Sequence, residues 1–118
     1  MHAREGMVMK DLIDIRGASG AVYRFALHRE GRPLSPMGGN YLYVRAKEDR
    51  PHGYEVVHVG EGQNLLTDAH GQWDKAVKQH AATHLFTRLN ISERVRKQEH
   101  TDIIEAVRPP MTTSTKAL

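Results

Sequence analysis

The sequence predicts an α+β domain, a small and mainly antiparallel sheet with helices packed on it. Three observations predict it. The elements read in the order hairpin, hairpin, helix, strand, helix; the strands are few and short; and only two stretches carry a helical period, so the chain is not built like a doubly wound sheet.

"DLIDIR" and "AVYRFALH" are β-like runs separated by "GASG", and they read as a first hairpin over about 11–28. "REGRPLSPMGG" is a loop of Gly and Pro that no regular element could hold. "NYLYVRA" and "YEVVHVG", joined by the polar turn "KEDRPHG", form a second hairpin. From Asn64 to about Gln79, Leu65, Leu66, Ala69, Trp73, Ala76 and Val77 recur at three- and four-residue steps, which predicts one helix with an apolar face. Gly71 weakens it in the middle, and Trp73 reads as core packing. "THLFTRL" is a fifth strand, Ser92 an N-cap for the closing helix, and "RPP" at 108–110 its stop. The predicted domain spans 1–112, with 113–118 as a flexible tail.

At 118 residues the chain has the length of one domain. It has no cysteine, which removes disulfides, thiolate zinc sites and thiol nucleophiles and suits a reducing compartment. No stretch is apolar enough to span a bilayer, and the N-terminus lacks the apolar run of a signal peptide, so a cytoplasmic protein with no membrane partner is expected. With 17 Lys+Arg against 14 Asp+Glu, the balance permits binding to a polyanion. The basic residues concentrate in 45–50 and 75–97, where Arg45, Lys75, Lys78 and Arg88 are candidates for nucleic-acid contacts; a solvated surface is the plain alternative.

The closing helix, "ERVRKQEHTDIIEAV", poses a problem of its own. At about 100° per residue, Glu99 falls among Val95, Ile103, Ala106 and Val107, inside the stripe that should be apolar. A carboxylate aimed at a core must be paired, protonated or bound to a cation. It could pair with Arg94, Arg96 or Lys97, or with Arg88 of the preceding strand; or it could line a cleft between the helix and the strand hairpin.

"GGNYLYVR…YEVVHVGEGQNL", followed by a helix, a strand and a helix with a carboxylate, resembles the GIY-YIG nuclease superfamily. Gly39-Asn40-Tyr41 stands for the first motif and His58-Val59-Gly60 for the second, and the close at Pro109-Pro110-Met111-Thr112 is similar to that of small bacterial members. The resemblance covers about 38–112 and implies a GIY-YIG-like core of three strands with flanking helices, the first hairpin being an extension. It implies an endonuclease, a phosphodiester hydrolase, in which Glu99 would hold Mg²⁺ or Mn²⁺ while Tyr41 and His58 would position or deprotonate the attacking water. The partner so implied is nucleic acid, with DNA the first expectation.

The chain departs from the family at Asp68, eight residues on from Gly60, where an arginine is expected. One unit charge at contact distance is worth about 4 kcal/mol at an effective dielectric near 20, and here its sign is reversed. A loss of roughly three or more powers of ten in rate would follow. Catalysis is therefore expected to be weak or lost. The alternatives are a non-catalytic nucleic-acid-binding module, and a protein-interaction or oligomerisation domain using the edge of the first hairpin.

Other signals are weaker. His80 and His84 stand at a four-residue step suited to a metal, but the helix ends before His84 and no acidic ligand is spaced to match. "GEGQN" is similar to a dinucleotide-binding glycine loop but lacks the third glycine and the parallel setting.

Overall fold

The computed structural model describes residues 10–111, so Thr112 and the tail at 113–118 lie outside the described residues. The order is β1 (Leu12–Arg16), β2 (Val22–Leu27), β3 (Gly39–Ala46), β4 (Tyr54–Gly62), α1 (Leu65–Asp68), α2 (Trp73–His80), β5 (His84–Leu89) and α3 (Glu93–Val107). The strands form one antiparallel sheet in the order β1-β2-β5-β3-β4, so the α+β expectation holds. β5 joins the two hairpins, pairing with β3 from Gly39↔Leu89 to Val44↔His84 and with β2 at Ala26↔Thr87 and Leu27↔Phe86.

Alternation along β3 divides the interior in two. Leu42 and Val44 face a cluster with Ile13, Ile15, Phe25, Tyr54, Val59 and Phe86, which Ile103 of α3 covers. Tyr41 and Tyr43 face the opposite cluster, with Val57, Leu65, Ala69, Ala76 and Leu85, beneath α1 and α2. The β3–β4 register shifts between Tyr43↔His58 and Val44↔Val56, leaving Val57 as an extra residue in β4. The Val57 carbonyl accepts a bond of 3.0 Å from the Met111 amide, which ties the segment after α3 to this bulge.

The helix predicted over 64–79 is two helices. Its apolar spacing is real, but the backbone breaks between Asp68 and Trp73, around Gly71. The Tyr43 hydroxyl spans the break: it donates to the Ala69 carbonyl at 2.7 Å and accepts from the Gln72 amide at 3.1 Å. Two backbone groups that lost helical partners are thereby satisfied. α1 is capped by Asn64, whose side chain accepts from the Thr67 amide.

Ser92 caps α3, accepting from the Val95 amide, and the helix ends at Val107 with Arg108 in the left-handed region at φ 49°. The buried face of α3 does not centre on Val95. It runs through Arg96 and Ile103, with Ala106 exposed. Arg96 is only 2% exposed. Its guanidinium donates to Glu61 at 2.7 Å and to the carbonyls of Asn90 and Ile91, a set of partners that makes burial of the charge tolerable.

Candidate functional site

Register decides which motif residues meet. Tyr41 pairs with Gly60 and Tyr43 with His58, so both tyrosines and the histidine share one face. The Tyr43 and His58 rings stack at 4.9 Å, and Tyr41 lies 6.0 Å from His58. The Tyr41 ring lies against Gly60: a Cβ there would fall 2.2 Å from its Cζ, so only glycine fits at this position. Asp68 sits on this face too, against Gly62, with its carboxylate accepting from the Asn64 amide at 3.2 Å and the Thr67 hydroxyl at 3.1 Å. It serves the N-terminus of α1, a task an arginine could not perform.

This face is closed. Tyr41, Tyr43 and His58 are all buried. Burial pushes the Tyr41 phenol far above its ordinary range, with Tyr43, Asp68 and Glu61 adding to it. Tyr43 is pushed up to about 12, mainly by burial. His58 is held below the usual imidazole value, first by burial, against a bond to the Met111 carbonyl that acts the other way. Its Nδ1 donates to that carbonyl at 3.4 Å, and its Nε2 is buried without a hydrogen-bond partner among the described residues. A base must reach a water to deprotonate it, and this imidazole faces rings and backbone.

Glu99 is on the other side of the sheet. Its Oε1 accepts from Arg88 Nε at 3.0 Å and from Asn90 Nδ2 at 2.8 Å, and its side chain is 15% exposed. Asn90 donates in turn to Asn40, whose Nδ2 donates to the Arg96 carbonyl. Arg88 also lies 5.4 Å over the Tyr23 ring. The expectation that Glu99 lines a cleft with Tyr41 and His58 is thus not met, because α3 covers one face of the sheet and the motif rings fill the other. The carboxylate in the apolar stripe is explained by its pairing with Arg88.

The fit of Mg²⁺ or Mn²⁺ can be judged from these contacts. A cation at Glu99 would have to share a carboxylate with a guanidinium already 3.0 Å away. Among the described residues no three His, Asp or Glu side chains gather where they could hold a metal. The donor set does not fit a divalent ion, and His80 and His84 are parted as the end of α2 and the start of β5.

The four basic candidates divide evenly. Arg88 is spent on Glu99, and Arg45 donates to Glu55 at 2.8 Å and to the His80 carbonyl at 3.2 Å. Neither guanidinium takes the place left by residue 68. Lys75 and Lys78 are exposed on α2 with no ion-pair partner among the described residues.

Beside α2 lies an open groove of about 880 Å³ that the sequence does not announce. His28, Arg29 and Arg32 line it together with His70, Trp73 and His84. Trp73 packs edge-on against Tyr43 at 5.1 Å, as a core residue would, yet it also lines the groove. These residues come from three separate stretches of chain, and only the β2–β5 pairing and the break before α2 bring them together. Eight histidines in 118 residues were the one hint in the sequence.

No family model matches the chain, and no curated protein or solved structure shows significant similarity to it. No helix among the described residues is long and apolar enough to cross a membrane.

Proposed function

We propose that the chain is a nucleic-acid-binding domain, with DNA the first expected partner, that follows the strand-and-motif plan of GIY-YIG nucleases without their metal-assisted chemistry. The observation that carries the loss of chemistry is the position of Glu99, bound to Arg88 and Asn90 on the sheet face opposite Tyr41 and His58. The binding half of the reading is supported by the net charge of +3 and by Lys75 and Lys78 on the exposed side of α2, which have no ion-pair partner among the described residues. Fixed cations that meet phosphates release condensed counterions, so affinity should fall steeply with salt.

Fluorescence anisotropy of a labelled oligonucleotide, titrated across a series of NaCl concentrations, tests this. Lys75→Ala and Lys78→Ala are each expected to lower affinity and to reduce the salt slope by about one. Absence of affinity for any DNA or RNA at low salt would overturn the proposal.

A further inference from the structure

We infer that the groove beside α2 receives unpaired bases, so that the nucleic acid bound is single-stranded; this deepens the reading above and rests on it. Its volume of about 880 Å³ lies within the range of ligand-sized clefts, roughly 300–1,000 Å³. Four of its lining side chains are planar rings, those of His28, His70, Trp73 and His84. The imidazoles of His28 and His70 approach edge-on at 6.2 Å, and His70 meets the Trp73 indole edge-on at 6.5 Å. An edge-to-face contact covers one face of one ring only, so the His28, His70 and Trp73 set keeps ring faces that these contacts do not cover, and such a face is what a splayed base stacks upon. A base held in a duplex cannot present its face in this way, so the lining selects for single strands.

Charge suits the same occupant. Arg29 and Arg32 stand at the groove rim against one acid, Glu30. Arg29 is paired with Asp11, while Arg32 has no ion-pair partner among the described residues. Arg32 is therefore the residue placed to meet a phosphate while the rings take the base. Lys75 and Lys78 are exposed on α2, the helix that Trp73 opens.

Trp73 is the single tryptophan of the chain, so its emission reports on the groove without a label. The experiment titrates full-length protein with fluorescein-labelled oligothymidylate and with a duplex of equal length. Trp73 emission and label anisotropy are followed together. The expected result is quenching of Trp73 in step with the anisotropy rise for the single strand, with weaker binding and little quenching for the duplex. His70→Ala and Arg32→Glu, both at exposed positions, should each weaken single-strand binding on the order of tenfold. Anisotropy that rises with Trp73 emission unchanged, and with both variants binding like wild type, would overturn the groove and leave the nucleic-acid reading standing. Binding of the duplex alone would do the same. No anisotropy change with either probe at low salt would overturn both.

Discussion

Glu99 shows how one residue's setting decides between two chemistries. A carboxylate on the inner side of a helix is compatible with a metal ligand and with a plain ion pair, and the sequence left both open, Arg88 among the named partners. What it withheld was the face: alternation on β3 predicts that Tyr41 and Leu42 diverge, but only the covering of each face says which side α3 takes. Hydrogen bonds to a charged group contribute about 1.5–3 kcal/mol each, so Glu99→Ala should destabilise the fold by roughly that amount in urea denaturation. A variant as stable as wild type would contradict the pairing. Tyr43 makes a second residue-scale case. Tyr43→Phe strips partners from the Ala69 carbonyl and the Gln72 amide, at a cost of about 1–3 kcal/mol. Faster hydrogen exchange at Gln72 would locate the damage.

At the scale of elements, the two hairpins are legible because their partners lie close in sequence and their turns carry Gly and Pro signals, and β5 is legible from its apolar, β-branched run although its partners are distant. The two hairpins, β5 and the Ser92 cap all fall within a residue or two of their expected bounds. The sequence hides the break in the helix at 64–79 because apolar spacing continues through it, and the group that stabilises the break is a tyrosine hydroxyl some thirty residues away in sequence. The latch between α3 and the first hairpin was equally invisible. Asp102 accepts from the Ser19 amide at 2.8 Å, the Ser19 hydroxyl at 2.7 Å and the Tyr23 hydroxyl at 2.7 Å. The Tyr23 and Ser19 hydroxyls beside it hold the Asp102 carboxyl below its ordinary value. Asp102→Ala should therefore speed amide exchange at Ser19 while exchange within β3 stays slow. Exchange at Ser19 that matches wild type would show that the latch has no role.

Across the whole molecule, the buried His58 and the partly buried His28, His52 and His84 should make the fold acid-sensitive. Burial lowers His28, His52, His58 and His84 below the ordinary value of 6.5, so in acid the unfolded chain takes protons that the folded chain refuses. Stability should be level above pH 6.5 and fall as pH drops through the window between that value and the folded ones. His58 faces His80, His100 and Lys75 from the elements around it, all of which disfavour its charge or can do so when protonated. His58→Leu should flatten the decline in Tm between pH 7 and pH 5, and a Tm that rises on acidification would contradict the assignment. The proposed function rests on the same layout: one sheet carries the Tyr41, Tyr43 and His58 rings on one face and Glu99 on the other, while Lys75 and Lys78, without ion-pair partners among the described residues, and the groove lie at α2. The most direct measurement of that arrangement incubates supercoiled DNA with wild type and Glu99→Ala in Mg²⁺ or Mn²⁺ and reads mobility shift and nicking on one gel. The arrangement predicts a salt-sensitive shift with intact plasmid for both proteins; nicking by wild type that Glu99→Ala abolishes would contradict it.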